Sequence, residues 1–237
     1  MHKILITQGS CGTHAVEDCL KGEYNRDIPG FTHLVHEFGV LTVNHPSAPQ
    51  LQGWNTHTNN PTVAPKNSKV VYLLANPYDT VLSYFRRDAG QVLTRGPFAG
   101  RFLYHHTRHL GGDFKYFENN EIDTGHCNLE TFLEDDYDPF FLKQHFSNWV
   151  DYDKRNYELM VMKYESLSEN GIDPLTKYWQ IIQNPRIPFN FIKRNSSWKD
   201  LEQKLIDGLE RKYGEFFDLY DSLPLFKNIK QGELSES

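Results

Sequence analysis

"KVVYLLANPYDTVLSYFRRD", Lys69 to Asp88, joins an apolar run directly to a helix-starting signal. Lys69 to Leu74 is aliphatic or aromatic after its first residue, the pattern of a strand buried on both faces of a parallel sheet. Asn76 is a good helix cap, Pro77 suits the first helical position, and Asp79 meets the positive end of the helix dipole. A strand running straight into a helix is half of a βαβ unit, so this stretch argues for an α/β protein.

The same pattern recurs on either side. Lys3 to Thr7 ("KILIT") reads as a strand, and "QGSCG" as a glycine turn. Ala15, Val16, Cys19 and Leu20 then fall at helical spacing until Gly22. "GVLTV" (Gly39 to Val43) predicts a short strand ending at Asn44, His45 and Pro46, followed by a polar loop to Ser68. Further on, "LETFLEDD" predicts a short helix and "FFLKQHFSNWVDY" a helix carrying Phe141, Leu142, His145, Phe146 and Trp149. "YELMVMKYESL" predicts a buried strand leading into a helix. "LEQKLIDGLERKYGEFFDLYDSL" predicts an amphipathic helix pair or one kinked helix. Most of Ala89 to Asp138 carries no clear period. The expected fold is α/β, a mostly parallel sheet flanked by helices with a P-loop-like strand-turn-helix nucleotide site. Residues 1–230 read as one domain and 231–237 as a frayed tail.

Composition narrows the function classes. With 237 residues and 38% hydrophobic content the chain can bury a sizeable core. A net charge of −6 and a pI near 6.0 argue against wholesale nucleic-acid binding, which needs a basic face. No apolar run approaches the roughly 20 residues of a membrane span, and the opening residues turn polar too soon for a signal peptide. Cys11, Cys19 and Cys127 are odd in number and lack metal-ligand spacing, which suits a reduced, cytoplasmic setting.

Ligands of parallel sheets sit at the carboxyl ends of strands, so chemistry is expected in the turns after Thr7, Val43, Leu74 and Lys163. Gly9 and Gly12 either let backbone N–H groups approach an anion or simply make a tight turn. "GSCGTH" has neither the lysine nor the spacing of the nucleotide-hydrolysing GxxxxGK[ST] loop. His105, His106 and His109 with Asp113 invite a metal reading, but no cysteine or carboxylate spacing completes the set. A polar aromatic loop without metal is the preferred reading there.

Asn76, Pro77, Asp79, Ser83 and Tyr84 match in register the RNPxDxxxSYY segment of the PAPS-dependent sulfotransferase family, which this chain resembles. "TQGSCGTHA" lies where that family has its 5′-phosphosulfate loop, and "TVNHP" where it has a strand-end histidine. "HFSNWVDY" followed by "YELMVMKYESL" lies where it has a histidine-to-tryptophan helix and a following strand. The resemblance covers most of Lys3 to Gly171.

It implies a sulfuryl transfer from PAPS (3′-phosphoadenosine 5′-phosphosulfate) to a hydroxyl or amine, leaving PAP, with no metal required. Ser10, Cys11, Gly12, Thr13 and His14 would wrap the 5′-phosphosulfate, and Ser83 would donate to the 3′-phosphate. His45 would be the general base and a protonated His14 would reach the sulfonate. The family's loop lysine falls on Ser10, its RNP arginine on Ala75, and the lysine before its histidine has no counterpart. Without its charge-assisted hydrogen bond, either phosphate site binds more weakly by about 1.5–3 kcal/mol. Arg86 and Arg87, one turn beyond Ser83, would be substitute cations, as would Lys193 and Arg194 in "KRNSSWK" (Lys193 to Lys199), which resembles the family's late RKGxxGDWK segment that supplies positive charge to the 3′-phosphate.

The acceptor would be a small molecule, a glycan or a peptide, with aromatics and histidines between Phe98 and Phe117 overhanging its pocket. Two other readings remain: a catalytically silent relative that binds PAP, PAPS or a sulfated ligand, and a P-loop phosphotransferase.

Overall fold

A computed structural model describes residues 3–9, 15–16, 19, 40–42, 61, 64, 66–92, 102–117, 128–181, 189–191 and 197–229. These residues belong to two compact units. The first comprises Met1–Ala75, Phe146–Lys193 and Leu223–Ser237, the second Asn76–His145 and Arg194–Ser222.

The first unit is built on a five-stranded sheet. Its strands are β1 (Lys3–Thr7), β2 (Val40–Thr42), β3 (Lys69–Leu74), β4 (Glu158–Lys163) and β5 (Phe226–Ile229), in the order β2-β1-β3-β4-β5. β1 pairs in parallel with β2 and β3, and β3 in parallel with β4, while β5 runs antiparallel along β4. Each of the three central strands is almost wholly buried, as their continuous apolar runs require.

One face of this sheet presents Leu5, Val71, Leu73, Met160 and Met162. They pack with Leu167 of α5 (Glu165–Asn170), with Leu175 and Trp179 of α6 (Asp173–Trp179), and with the helical residues Val16 and Cys19. The Trp179 indole N–H donates to the Lys69 carbonyl at 3.1 Å, satisfying the one polar group this large side chain brings inside. On the opposite face Tyr72 meets Phe146 edge to face, with ring centroids 5.4 Å apart. The buried Arg155 guanidinium donates to the carbonyls of Val150 and Ile229, tying β5 into the unit.

The second unit is helical, comprising α1 (Pro77–Val92), α2 (Phe102–Leu110), α3 (Leu129–Phe132), the opening turn of α4 (Leu142–Val150), a 3-10 turn (Trp198–Asp200) and α7 (Gln203–Ser222). Tyr84 of α1 packs against His106 and Phe140, and Phe85 against Phe132. Phe117 lies between Phe132 and Phe140, so the core is largely aromatic. The acidic run Asp135 to Asp138 is held to α7 by three consecutive residues. Arg211 pairs with Asp136, the enclosed Lys212 ammonium donates to Asp135 and to the Phe132 and Tyr137 carbonyls, and Tyr213 donates to Asp138.

Two expectations are corrected. The histidine-rich stretch expected as a loop is the helix α2, because Phe102, Leu103, His106 and Leu110 form an inward face at helical spacing. Of the two alternatives for the stretch from Leu201 to Leu223, a helix pair is corrected to one helix, α7. Its two glycines do not end it, and Gly208 lies so close to Leu133 that a side chain there would clash.

Candidate functional site

β1 and β3 are neighbours in register, Thr7 opposite Leu73. Their carboxyl ends therefore open at the same edge of the sheet. Chain order reverses between them, with β2 beyond β1 and β4 beyond β3. In doubly wound sheets such a reversal leaves a crevice where ligands bind.

After β1 the chain turns at once. Gly9 has φ of 83°, a conformation that a side chain disfavours, and its N–H donates to Thr7 Oγ1 at 3.0 Å. Gln8 and Thr7 are buried, and Ala15 and Val16 are already helical. The expected strand before the turn and the start of the expected helix after it are thus present. Ser10, Cys11, Gly12, Thr13 and His14 lie outside the described residues, as do His45, Lys193 and Arg194.

After β3 the corner is fully described. Ala75, standing where the resembling family has an arginine, is buried in the core beside Leu73 and Met162. Asn76 caps α1 as the sequence predicts. Its side-chain oxygen accepts the N–H groups of Tyr78 at 3.0 Å and Asp79 at 3.3 Å, and its carbonyl accepts the N–H of Thr80 at 2.9 Å. The first amides of α1 are therefore engaged by Asn76. An anion at this corner would be gripped by side chains, in the field of the helix end.

Ser83 is buried one turn inside α1, and Arg86 and Arg87 are exposed a further turn on. Asp79, Ser83 and Arg86 or Arg87 share one stripe of the helix by their spacing. Thr80, at the edge of that stripe, has a buried hydroxyl with no hydrogen-bond partner among the described residues. A buried hydroxyl left in this way is costly, which makes Thr80 a ready partner for a ligand or a water.

Sequence reasoning missed how the segment around Trp198 enters this corner. The Trp198 N–H donates to Asp79 Oδ1 at 2.9 Å. The Tyr78 ring stacks on Phe217 at 4.6 Å and meets Trp198 edge to face at 5.2 Å. Enclosure, aided by Glu210 and Asp218, pushes the Tyr78 phenol up to about 12. Lys199 Nζ lies 5.7 Å from the centre of the Trp198 ring. Asp79 four residues before Ser83, with a distant aromatic-basic "WK", is the only trace of this in the sequence.

Other candidates have packing roles. His106 is stacked on Phe102 at 5.2 Å and buried against Tyr84. His145 is buried, and desolvation pushes its imidazole down to about 3, so it is neutral at physiological pH. Among the described residues no three His, Cys, Asp or Glu side chains gather as around a metal ion, and no helix is long and apolar enough to cross a membrane.

The fold defines the class as far as structure goes: an α/β protein with a mostly parallel sheet and flanking helices. No protein-family model matches the chain, and no curated protein matches it.

Proposed function

We propose that the protein is a sulfotransferase-like enzyme that moves a sulfuryl group from PAPS to a hydroxyl or amine acceptor. The observation that supports this reading is the reversal of chain order between β1 and β3. The two stretches that resemble the family's 5′-phosphosulfate and 3′-phosphate segments begin at the carboxyl ends of those two adjacent strands.

In this reading Ser10, Cys11, Gly12, Thr13 and His14 hold the 5′-phosphosulfate. Ser83 donates to the 3′-phosphate, and Arg86, Arg87, Lys193 and Arg194 supply the charge that Ala75 does not. The acceptor oxygen or nitrogen bonds to sulfur as the bond from sulfur to the phosphate oxygen breaks in line, and the acceptor's proton passes to His45. PAP carries away the displaced charge. Rate comes from positioning and from fixed donors around the sulfonate.

The burial of Ala75 favours a second reading, a silent relative that binds PAP, PAPS or a sulfated ligand without turnover. Adenosine 3′,5′-bisphosphate without magnesium should raise the melting temperature by about 5 °C at a hundredfold excess over Kd under either reading. Stabilisation only by ATP with magnesium would instead indicate a phosphotransferase. Sulfuryl transfer abolished in His45→Ala, with nucleotide binding retained, separates enzyme from silent binder.

A further inference from the structure

We propose that the β5 side of the sheet carries a second ligand site, one that takes a free α-amino acid with a large apolar side chain. This site is independent of sulfuryl transfer. In the sheet order β3 and β4 stand between β5 and the strand that leads into the glycine turn.

β5 extends the sheet one strand beyond β4, with Asn228 opposite Met160 and Phe226 opposite Met162. Residues paired across neighbouring strands share a face, so Phe226 and Asn228 lie on the face that α5 and α6 cover over β4. The cover ends there. Met160 and Met162 are buried, whereas Phe226 is 46% exposed, one of two large apolar side chains left so among the described residues. A cavity of about 580 Å³ is lined by residues of β4, β5, α5 and α6. That volume falls within the range of small-molecule sites, roughly 300–1,000 Å³.

The lining is divided by chemistry. Met160, Pro174, Phe226 and Tyr178 give it an apolar side. Charges of both signs line the rest: Glu169 near the end of α5, Asp173 at the start of α6, and Lys177 one helical turn after Asp173. Only Gly171, with φ of 59°, and the buried Ile172 separate the two helices, which keeps Glu169 and Asp173 at one corner. Asp173 and Lys177 stand at the spacing that pairs opposite charges on a helix. Neither they nor Glu169 form an ion pair among the described residues.

Unpaired charges of both signs beside an apolar wall complement a molecule that carries both charges on one carbon and an apolar chain next to them. The ammonium of an α-amino acid meets Glu169 and Asp173, its carboxylate meets Lys177, and its side chain lies against Met160 and Phe226. An apolar amine leaves Lys177 without a counter-charge. An apolar acid meets two carboxylates of its own sign.

The test is an NMR titration of the full chain with L-phenylalanine, phenethylamine and 3-phenylpropionate, which share a phenyl ring and differ in charge. Phenylalanine is expected to bind with a Kd of about 1 mM, about fivefold more tightly than either of the others, the weight of one exposed ion pair. Lys177→Met should erase its advantage over phenethylamine, and Glu169→Gln combined with Asp173→Asn its advantage over 3-phenylpropionate. Phe226→Ala should weaken all three. These side chains are exposed, so the variants should melt at the wild-type temperature. Adenosine 3′,5′-bisphosphate should not displace phenylalanine. Absence of phenylalanine binding at about 10 mM, equal affinity for the three probes, displacement by the bisphosphate, or variants that bind as wild type does would each overturn this site. Sulfuryl transfer is tested separately, by nucleotide binding and by His45→Ala.

Discussion

Tyr213 donates its phenol proton to Asp138 Oδ1 across 2.7 Å, joining the middle of α7 to the turn that precedes α4. The same carboxylate accepts the N–H groups of Phe140 at 3.0 Å and Leu142 at 2.9 Å. Burial pushes the Asp138 carboxyl up, and these three donors, with Lys212 nearby, pull against that shift. Removing the phenol by Tyr213→Phe leaves an enclosed carboxylate short of a donor. A loss of about 1.5–3 kcal/mol is expected in urea denaturation, with Asp138 titrating higher still.

Asn76 closes the first turn of α1 through two amides. Asn76→Ala should cost about 1 kcal/mol of stability and Asn76→Asp much less, since a carboxylate can accept the same two N–H groups and favours the helix dipole. Denaturation midpoints of the two variants side by side provide the check.

His145 gives the molecule an acid sensitivity of known sign. Above about pH 6.5 the imidazole is neutral both folded and unfolded, so its full contribution is present. As pH falls below that value the unfolded chain takes up a proton that the buried ring resists down to about 3. Stability then declines by about 2 kcal/mol between pH 6.5 and 5. His145→Gln should show a shallower decline over that range. An identical slope in wild type and variant would refute this account.

Two glycines of α7 should respond in opposite directions to alanine. At Gly208 a methyl group would stand 2.8 Å from Leu133 Cβ, an atom fixed close to the backbone. Gly208→Ala is expected to destabilise by about 1–3 kcal/mol despite better helix propensity. At Gly214 the nearest atoms are 3.7 and 3.9 Å away. Gly214→Ala should raise stability by about 0.5–1 kcal/mol, which thermal melts of the pair would show.

The strands and helices that were legible in the sequence are those whose side chains alone specify them. Lys69–Leu74 and Glu158–Lys163 are apolar runs that only a doubly covered strand explains, and Asn-Pro-x-Asp at 76–79 is a helix start written in capping chemistry. α2 was not legible because its inward face is partly histidine, which a hydrophobic period undercounts until Phe102 is seen stacked on His106 and Tyr84 packed against it. β5 was missed for a related reason. Its four residues are mostly exposed or half-buried, and their pairing with β4 fixes them as a strand. At the candidate site the bend at Gly9 and the helix that carries Ser83 could be read directly. The Asp79 to Trp198 hydrogen bond spans 119 residues and leaves no local pattern.

β5 is separated from β4 by more than sixty residues, including all of α7, yet among the described residues it is the strand that covers the outer edge of β4. During synthesis Leu159 to Met162 must wait, with unpaired amides along one side, until Phe226 to Ile229 has been made. A ribosome that stalls or a protease that cuts between Ser222 and Phe226 would release a chain with a sticky open margin, ready to pair with its own copies. Quality control of this protein is therefore expected to depend on the arrival of those last four strand residues.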